Sequence, residues 1–307
     1  MTRELPPVRT VGPGTDLTPD EAAAVRALAA AAHEHDGVEA LGEQTLLDLR
    51  GGAPVRHLLL APPPHAAPSH GRPAPLLGYA AVRHADDGAA ESAELVVDPA
   101  HRRRGAGTAL LAAVRAAGDP PVWAHGNLPG ARALAARAGR AVVRELWQMA
   151  VPLPAPGAAS GTAPEGVVVR PFVVGQDEEA WLRVNARAFA EHPEQGRMTL
   201  ADLRAREAEP WFDPGDLLLA EQDGRLVASV WMKVEPGCSA GELYVLGVDP
   251  DAQGRGIGRL LTARVLEHLA DRGLREAVLY VSADDAVAVR TYERAGFTVA
   301  RADVQYR

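Results

Sequence analysis

Leu246-Gly-Val-Asp-Pro-Asp-Ala-Gln-Gly-Arg-Gly-Ile-Gly258 is the stretch that decides how this chain folds. The residues before it, Glu242 to Val248, read as a buried strand, and Asp249-Pro250 ends that strand. Beyond the glycines, Leu261, Val265 and Leu269 recur at helical spacing until Gly273 stops the run. The order is therefore strand, Gly-rich turn and helix. Small residues in such a turn let backbone N–H groups converge at a helix N-terminus, whose partial positive charge suits a pyrophosphate. No Gly-Lys-Ser/Thr follows, which excludes a Walker loop, and neither the spacing nor the closing strands fit the dinucleotide-binding fingerprint.

The same pattern occurs earlier. Leu95-Val-Val-Asp-Pro-Ala-His-Arg-Arg-Arg-Gly-Ala-Gly107 matches it at a constant offset of 151 residues, so the chain is an internal duplication. Between the copies, Val151 to Gly166 is rich in Pro, Gly, Ala and Ser and lacks apolar periodicity. We expect an N-terminal domain over residues 1–151, a linker over 152–166 and a C-terminal domain over 167–307. In the second domain, strands are expected over Val167–Phe172 and Ala277–Val281, and helices over Glu178–Ala190, Leu200–Ala208 and Ala286–Ala295. A hairpin over Asp216–Lys233 should turn at Asp223-Gly224, and Phe297–Tyr306 reads as a closing strand pair. The first half repeats this order and adds a Pro-rich insertion, Ala61–Pro75, read as a solvated loop.

Composition narrows the function classes. No apolar run is long enough to span a bilayer, and Met1–Thr10 lacks the basic and apolar regions of a secretory signal. A single cysteine, Cys238, excludes an internal disulfide framework and any Cys-cluster metal site, and fits a reducing, cytoplasmic setting. Net charge −8 argues against a general nucleic-acid binder, so any phosphate must be held locally. His33, His35 and His192 have no recognisable metal spacing, and no metal is expected. Lys233 is the only lysine.

The chain resembles the GCN5-related N-acetyltransferase superfamily. That family's Gln/Arg-x-x-Gly-x-Gly/Ala pattern is met at Gln253, Gly256 and Gly258, and again at Arg102, Gly105 and Gly107. The resemblance covers nearly all of both halves and implies an α/β fold of two tandem domains, each a mixed, mostly antiparallel sheet flanked by helices. It implies acetyl-CoA as cosubstrate, held by Leu246, Gly247 and Val248, by Gln253, Gly254, Arg255, Gly256, Ile257, Gly258 and Arg259, and by Asp285, Ala286, Val287, Ala288, Val289 and Arg290. In the first half the matching positions are Leu95, Val96, Val97, Arg102, Arg103, Arg104, Gly105 and Gly107. The family's final motif is matched by Asp285 to Phe297 and makes Tyr292 the candidate acid for the departing sulfur. Aligning Ala138-Gly139 with Ala295-Gly296 puts Ala135 opposite Tyr292, so only the C-terminal half is expected to be catalytic. Glu242, six residues before Val248, is the candidate base.

Asn185-Ala-Arg-Ala-Phe-Ala-Glu-His-Pro-Glu-Gln-Gly196 followed by Trp211-Phe-Asp-Pro, with Asp36-Gly-Val and Gly42-Glu-Gln in the first half, resembles the mycothiol synthases within that superfamily. This implies a pseudo-disaccharide acceptor bearing a cysteinyl amine, contacted by Asp36, Glu194, Lys233, Glu242 and Tyr280, and a monomer without nucleic-acid or membrane partners. Plainer roles stay open: Asp36 as a helix end, Glu194 as a loop residue, Lys233 as an edge charge, Tyr280 as core. Two departures, the short Ser239–Gly241 connection and Asp285 where asparagine is common, bear on loop geometry. The generic motifs equally fit an acetyltransferase for a protein N-terminus or an aminoglycoside, or a non-enzymatic acyl-CoA binder.

Overall fold

The computed structural model describes residues 5–12, 15–62, 75–85, 90–155, 163–190 and 195–307. Most of the Pro-rich insertion, much of the linker, and His192 and Glu194 lie outside these. By contacts the chain forms two units, Met1–Leu146 with Ala302–Arg307, and Trp147–Arg301.

In the first unit, β1 (Arg9–Val11), β2 (Val55–Leu60), β3 (Gly78–His84) and β4 (Ala90–Val97) form an antiparallel run, and β5 (Val122–Ala124) pairs parallel with β4. Helix α1 (Pro19–Asp36) starts at a Thr18–Glu21 capping box and ends on Gly37, in the left-handed conformation open to glycine. Together with α2 (Glu43–Asp48) it covers one face of the sheet through Val25, Leu28, Leu59 and Val96. The other face packs on α3 (Ala106–Ala116) through Leu58, Ala80, Leu110 and Val114, and α4 (Pro129–Arg137) follows β5.

The second unit repeats the plan. Strands β7 (Val167–Pro171), β8 (Leu217–Gln222), β9 (Arg225–Lys233) and β10 (Ala240–Val248) are successively antiparallel, and β11 (Glu276–Ser282) pairs parallel with β10. The β8–β9 turn falls on Asp223-Gly224, both at positive φ, as a tight hairpin requires. Helices α5 (Glu178–Ala188) and α6 (Leu200–Glu207) cover one face around Trp181, Leu203, Trp211 and Trp231. The opposite face receives α7 (Ile257–Asp271) and α8 (Ala286–Arg294). Burying Leu260, Leu261, Val265, Leu266 and Leu269 of α7 contributes about 1.5–3 kcal/mol each.

The closing segment differs from the sequence expectation. It is one strand, β12 (Thr298–Tyr306), not a pair, because neither glycine nor proline interrupts Thr298 to Tyr306. Its end pairs antiparallel with β5, Val304 opposite Ala124 and Tyr306 opposite Val122, so Ala302–Arg307 complete the sheet of the first unit. Correspondingly β6 (Val142–Pro152) supplies Trp147–Pro152 to the second unit, where it neighbours β11.

Candidate active site

In the second unit, β10 and β11 are hydrogen-bonded only where Ala240–Leu243 face Glu276–Leu279, although both strands run on, to Val248 and Ser282. Leu246, Gly247 and Val248 thus have β9 on one side and an open backbone edge on the other, with strand-oriented N–H and C=O groups available to an extended ligand. Gly247 fits closely here, since a Cβ would lie 3.2 Å from both Ala188 and the Phe189 ring at the end of α5.

The chain then turns through Asp249, whose carboxylate caps the turn at the Asp251 N–H and is gripped by Arg187 at 2.8 and 3.0 Å. Gln253 Nε2 donates back to the Val248 carbonyl (3.2 Å). Gly254 and Gly256 take φ of 75° and 84°. The first helical bond of α7 runs from Leu260 N–H to the Gly256 carbonyl, so the N–H groups of Ile257, Gly258 and Arg259 have no acceptor within the helix. This is an anion-ready terminus. Arg255 is anchored to the Asp251 carbonyl, Arg259 is exposed in the first turn, and the Asp285 carboxylate caps α8 at Val287 and Ala288.

Lys233 and Glu242 are direct cross-strand partners, and Glu242 also faces Val278, two residues from Tyr280. Alternation along the strands puts Lys233, Glu242 and Tyr280 on the face covered by α5 and α6. Tyr280 is 40% exposed, and its hydroxyl accepts from Gln148 Nε2 at 2.8 Å. Tyr292 comes from the opposite face, where it packs with Leu243, Leu279 and Val281 and meets Phe297 edge-on at 5.9 Å. Burial, with the nearby Asp285 charge, pushes its hydroxyl up to about 12. It therefore keeps its proton at working pH. Glu194 lies outside the described residues.

The first unit keeps the same loop. Arg102 Nε donates to the Val97 carbonyl (3.2 Å) as Gln253 does to Val248, and its guanidinium also holds Asp36 at both oxygens (2.7 and 2.6 Å). Arg103 and Gly105 take positive φ at the positions of Gly254 and Gly256, and Arg104 is exposed. Strands β4 and β5 pair only at Ala93–Glu94. Beyond that point opens a cavity of about 600 Å³, lined by Leu95, Val96, Val97, Arg102, Gly105, Gly107, His125, Ala135 and Tyr306 among others.

Two features of this cavity were not foreseen from sequence. Tyr306 packs against Ala135, and its hydroxyl donates to Asn127 Oδ1 (2.8 Å), so a phenol from β12 reaches the cavity although α4 supplies none. His125 lies between two carboxylates, Nδ1 at 2.9 Å from Asp303 and Nε2 at 3.3 Å from Glu94. Burial disfavours its charge, but Asp303 and Glu94 more than offset this and raise its pKa to about 10. Both nitrogens thus donate. Burial acts to raise Glu94, yet His125 and the Gly42 N–H hold its carboxyl below the ordinary range. These partners come from three distant segments, and no local motif announces them.

Comparison with known proteins follows the same division. The Acetyltransferase (GNAT) family model matches residues 181–297, and an Acetyltransferase (GNAT) domain model matches residues 70–140. The chain is 56% identical to a mycothiol acetyltransferase of Cellulomonas flavigena, over 94% of this chain and 86% of that one. It is 52% identical to a mycothiol acetyltransferase of Thermomonospora curvata, over 95% of each. Among solved structures, a GCN5-related N-acetyltransferase from Sphaerobacter thermophilus aligns with TM-score 0.66 and 26% identity, over 99% of this chain and 96% of that one. A tandem GNAT protein from the clavulanic acid biosynthesis pathway shares the fold at TM-score 0.68 and 18% identity, over 97% of both. The chain belongs to the GNAT acetyltransferases and, within them, to the mycothiol acetyltransferase family.

Proposed function

We propose that this chain transfers the acetyl group of acetyl-CoA to the cysteinyl amine of a cysteine-glucosaminyl-inositol pseudo-disaccharide, forming mycothiol. The observation that carries the reading is the opening between β10 and β11, flanked by Glu242 on one face of the sheet and Tyr292 on the other. The open edge of Leu246–Val248 suits the pantetheine arm and the start of α7 suits the pyrophosphate, so the residues present fit acetyl-CoA. Because base and acid approach from opposite faces, the thioester has to sit in the opening that joins them.

In this reading Glu242 accepts the proton of the acceptor ammonium, directly or through a water, and the amine attacks the thioester carbon. A backbone N–H near Val248 polarises the carbonyl, and Tyr292 delivers a proton to the departing sulfur. The demand on each is modest. An α-amine has a reference pKa of about 8 and a thiol one of about 8.5, so positioning supplies much of the rate. Lys233 and Tyr280 offer hydrogen-bonding groups to a hydroxyl-rich acceptor, and Asp36 and Glu194 are assigned to the same substrate. The first unit is assigned acetyl-CoA binding through Leu95–Val97 and Arg102–Gly107 without turnover. The protein acts as a monomer in the cytoplasm.

The test is CoA release with the pseudo-disaccharide beside free cysteine, an N-terminal peptide and an aminoglycoside. Fast turnover of the pseudo-disaccharide alone supports the reading. Preference for another amine discards the acceptor and leaves acetyl transfer standing.

A further inference from the structure

Lys233, the chain's only lysine, does not project freely from its strand. Its side chain is 14% exposed, with Nζ 5.0 Å from the Trp211 ring centroid, 5.8 Å from that of Tyr244 and 3.0 Å from Glu235 Oε1. The rings are themselves fixed. Trp211 is 5% exposed and meets Tyr244 edge-on at 5.4 Å, and both pack on the fully buried Trp231. Arg206 Nε donates to the Tyr244 hydroxyl at 2.8 Å, and Arg206 is in turn held by the Asp202 carbonyl within α6.

Tyr244 shares the face of Glu242 and Lys233 by strand alternation, and a bulge in β10 adds Val245 to the same side. The pairing with β9 shifts register between Leu243 and Val245, so Tyr244 and Val245 both join the aromatic cluster, while Leu243 and Leu246 pack on the other face. Without the extra residue, strict alternation would not place two successive side chains on the side of Lys233. The paired arginine and the two rings converge on one ammonium.

We infer that Trp211, Tyr244 and Arg206 form a seat that holds the Lys233 ammonium in one place, and that this seat sets affinity for the hydroxyl-rich acceptor. The second clause rests on the function proposed above. An unrestrained lysine loses side-chain freedom when it binds a ligand, whereas a seated one has lost it already and presents its N–H donors at a fixed site beside Glu242. Ring faces suit this task because they attract the cation without using up its donors. Trp211, Tyr244 and Arg206 act through Lys233 and are positioning residues.

Two readouts test the seat. The lone lysine permits a clean label: reductive methylation with ¹³C-formaldehyde marks Lys233 and the α-amine only. The Lys233 methyl resonance is expected upfield of dimethyl-lysine in a peptide, through the ring current of Trp211, and should return toward the peptide position in Trp211→Leu. In kinetics, Trp211→Leu is expected to raise KM for the acceptor about tenfold and leave KM for acetyl-CoA unchanged. Lys233→Met should raise acceptor KM by a similar factor, and the double variant by no more than either alone. If Trp211→Leu is too unstable to assay, Tyr244→Phe, which keeps the ring and removes the Arg206 contact, should show the same split at smaller size. A peptide-like resonance in the wild type, additive effects, or equal rises in both KM values overturn the inference. If the wild type does not turn over the pseudo-disaccharide, the proposed function falls, and the methyl resonance alone decides whether the seat exists.

Discussion

Ala135 and Tyr292 hold the same backbone position in the two repeats. The Ala135 carbonyl accepts the N–H groups of Ala138 and Arg140, as that of Tyr292 accepts those of Ala295 and Phe297. The duplicated backbone thus persists while the side chain that would protonate a thiolate is present in one copy only. Tyr292→Phe keeps the ring packed on Phe297 and removes the acid. We expect kcat to fall about 100-fold, the low end for a positioned acid, because a thiolate leaves readily. Stopped-time CoA release measures it; a loss below threefold would remove Tyr292 from the proton path.

Glu242→Gln is expected to lower kcat/KM about 100-fold at pH 7. The deficit should shrink as the pH passes about 8, where the free α-amine no longer needs a base. A profile from pH 6.5 to about 9.5 decides the matter, and a deficit independent of pH would assign Glu242 to binding alone.

The His125 triad predicts a stability profile. His125 is raised from 6.5 to about 10 on folding, so its contribution is complete below pH 6.5 and is lost as the pH rises toward 10. Glu94 is lowered, so its contribution is present above its unfolded value of 4.5 and is lost as the pH falls through the folded one. The triad should stabilise the first unit most between about pH 4.5 and 6.5. His125→Gln leaves two buried carboxylates without their cation and should cost about 3–5 kcal/mol there, read by urea unfolding at pH 5.5, with a smaller difference at pH 10.

Gly247→Val would force a side chain into the 3.2 Å gap before Ala188 and Phe189. We expect a loss of about 1–3 kcal/mol and a raised KM for acetyl-CoA, because the open edge of β10 shifts with it. Thermal unfolding and initial rates test both; an unchanged Tm would show that α5 yields without cost.

Much of this arrangement is legible in sequence because it is local. Gly254 and Gly256 mark left-handed turn positions, Asp223-Gly224 marks the hairpin, and the repeat at 151 residues aligns both loops, even where Arg103 takes a conformation that glycine has in the other copy. What sequence left unread is non-local. No periodicity says that Val304 pairs with Ala124, or that Asp303, Glu94 and His125 share one proton network. The seat of Lys233 joins Trp211, Arg206 of α6 and Tyr244 of β10, so it emerges only when these separate segments are placed side by side.

Ala302–Arg307 carry a consequence for biosynthesis. A nascent chain emerging from the ribosome completes β5 long before it makes the strand that pairs with it. The intervening second unit takes on the order of 10–30 s to translate at ordinary elongation rates. For that time the edge of β5 has no strand partner, His125 lacks Asp303, and Arg140 lacks the Tyr306 carbonyl that it later grips. Strand pairing of the half made first is therefore finished by the half made last. A ribosome that stalls or terminates before Ala302 releases a polypeptide with an exposed strand edge and an unmatched buried charge, which marks it for chaperones and proteases.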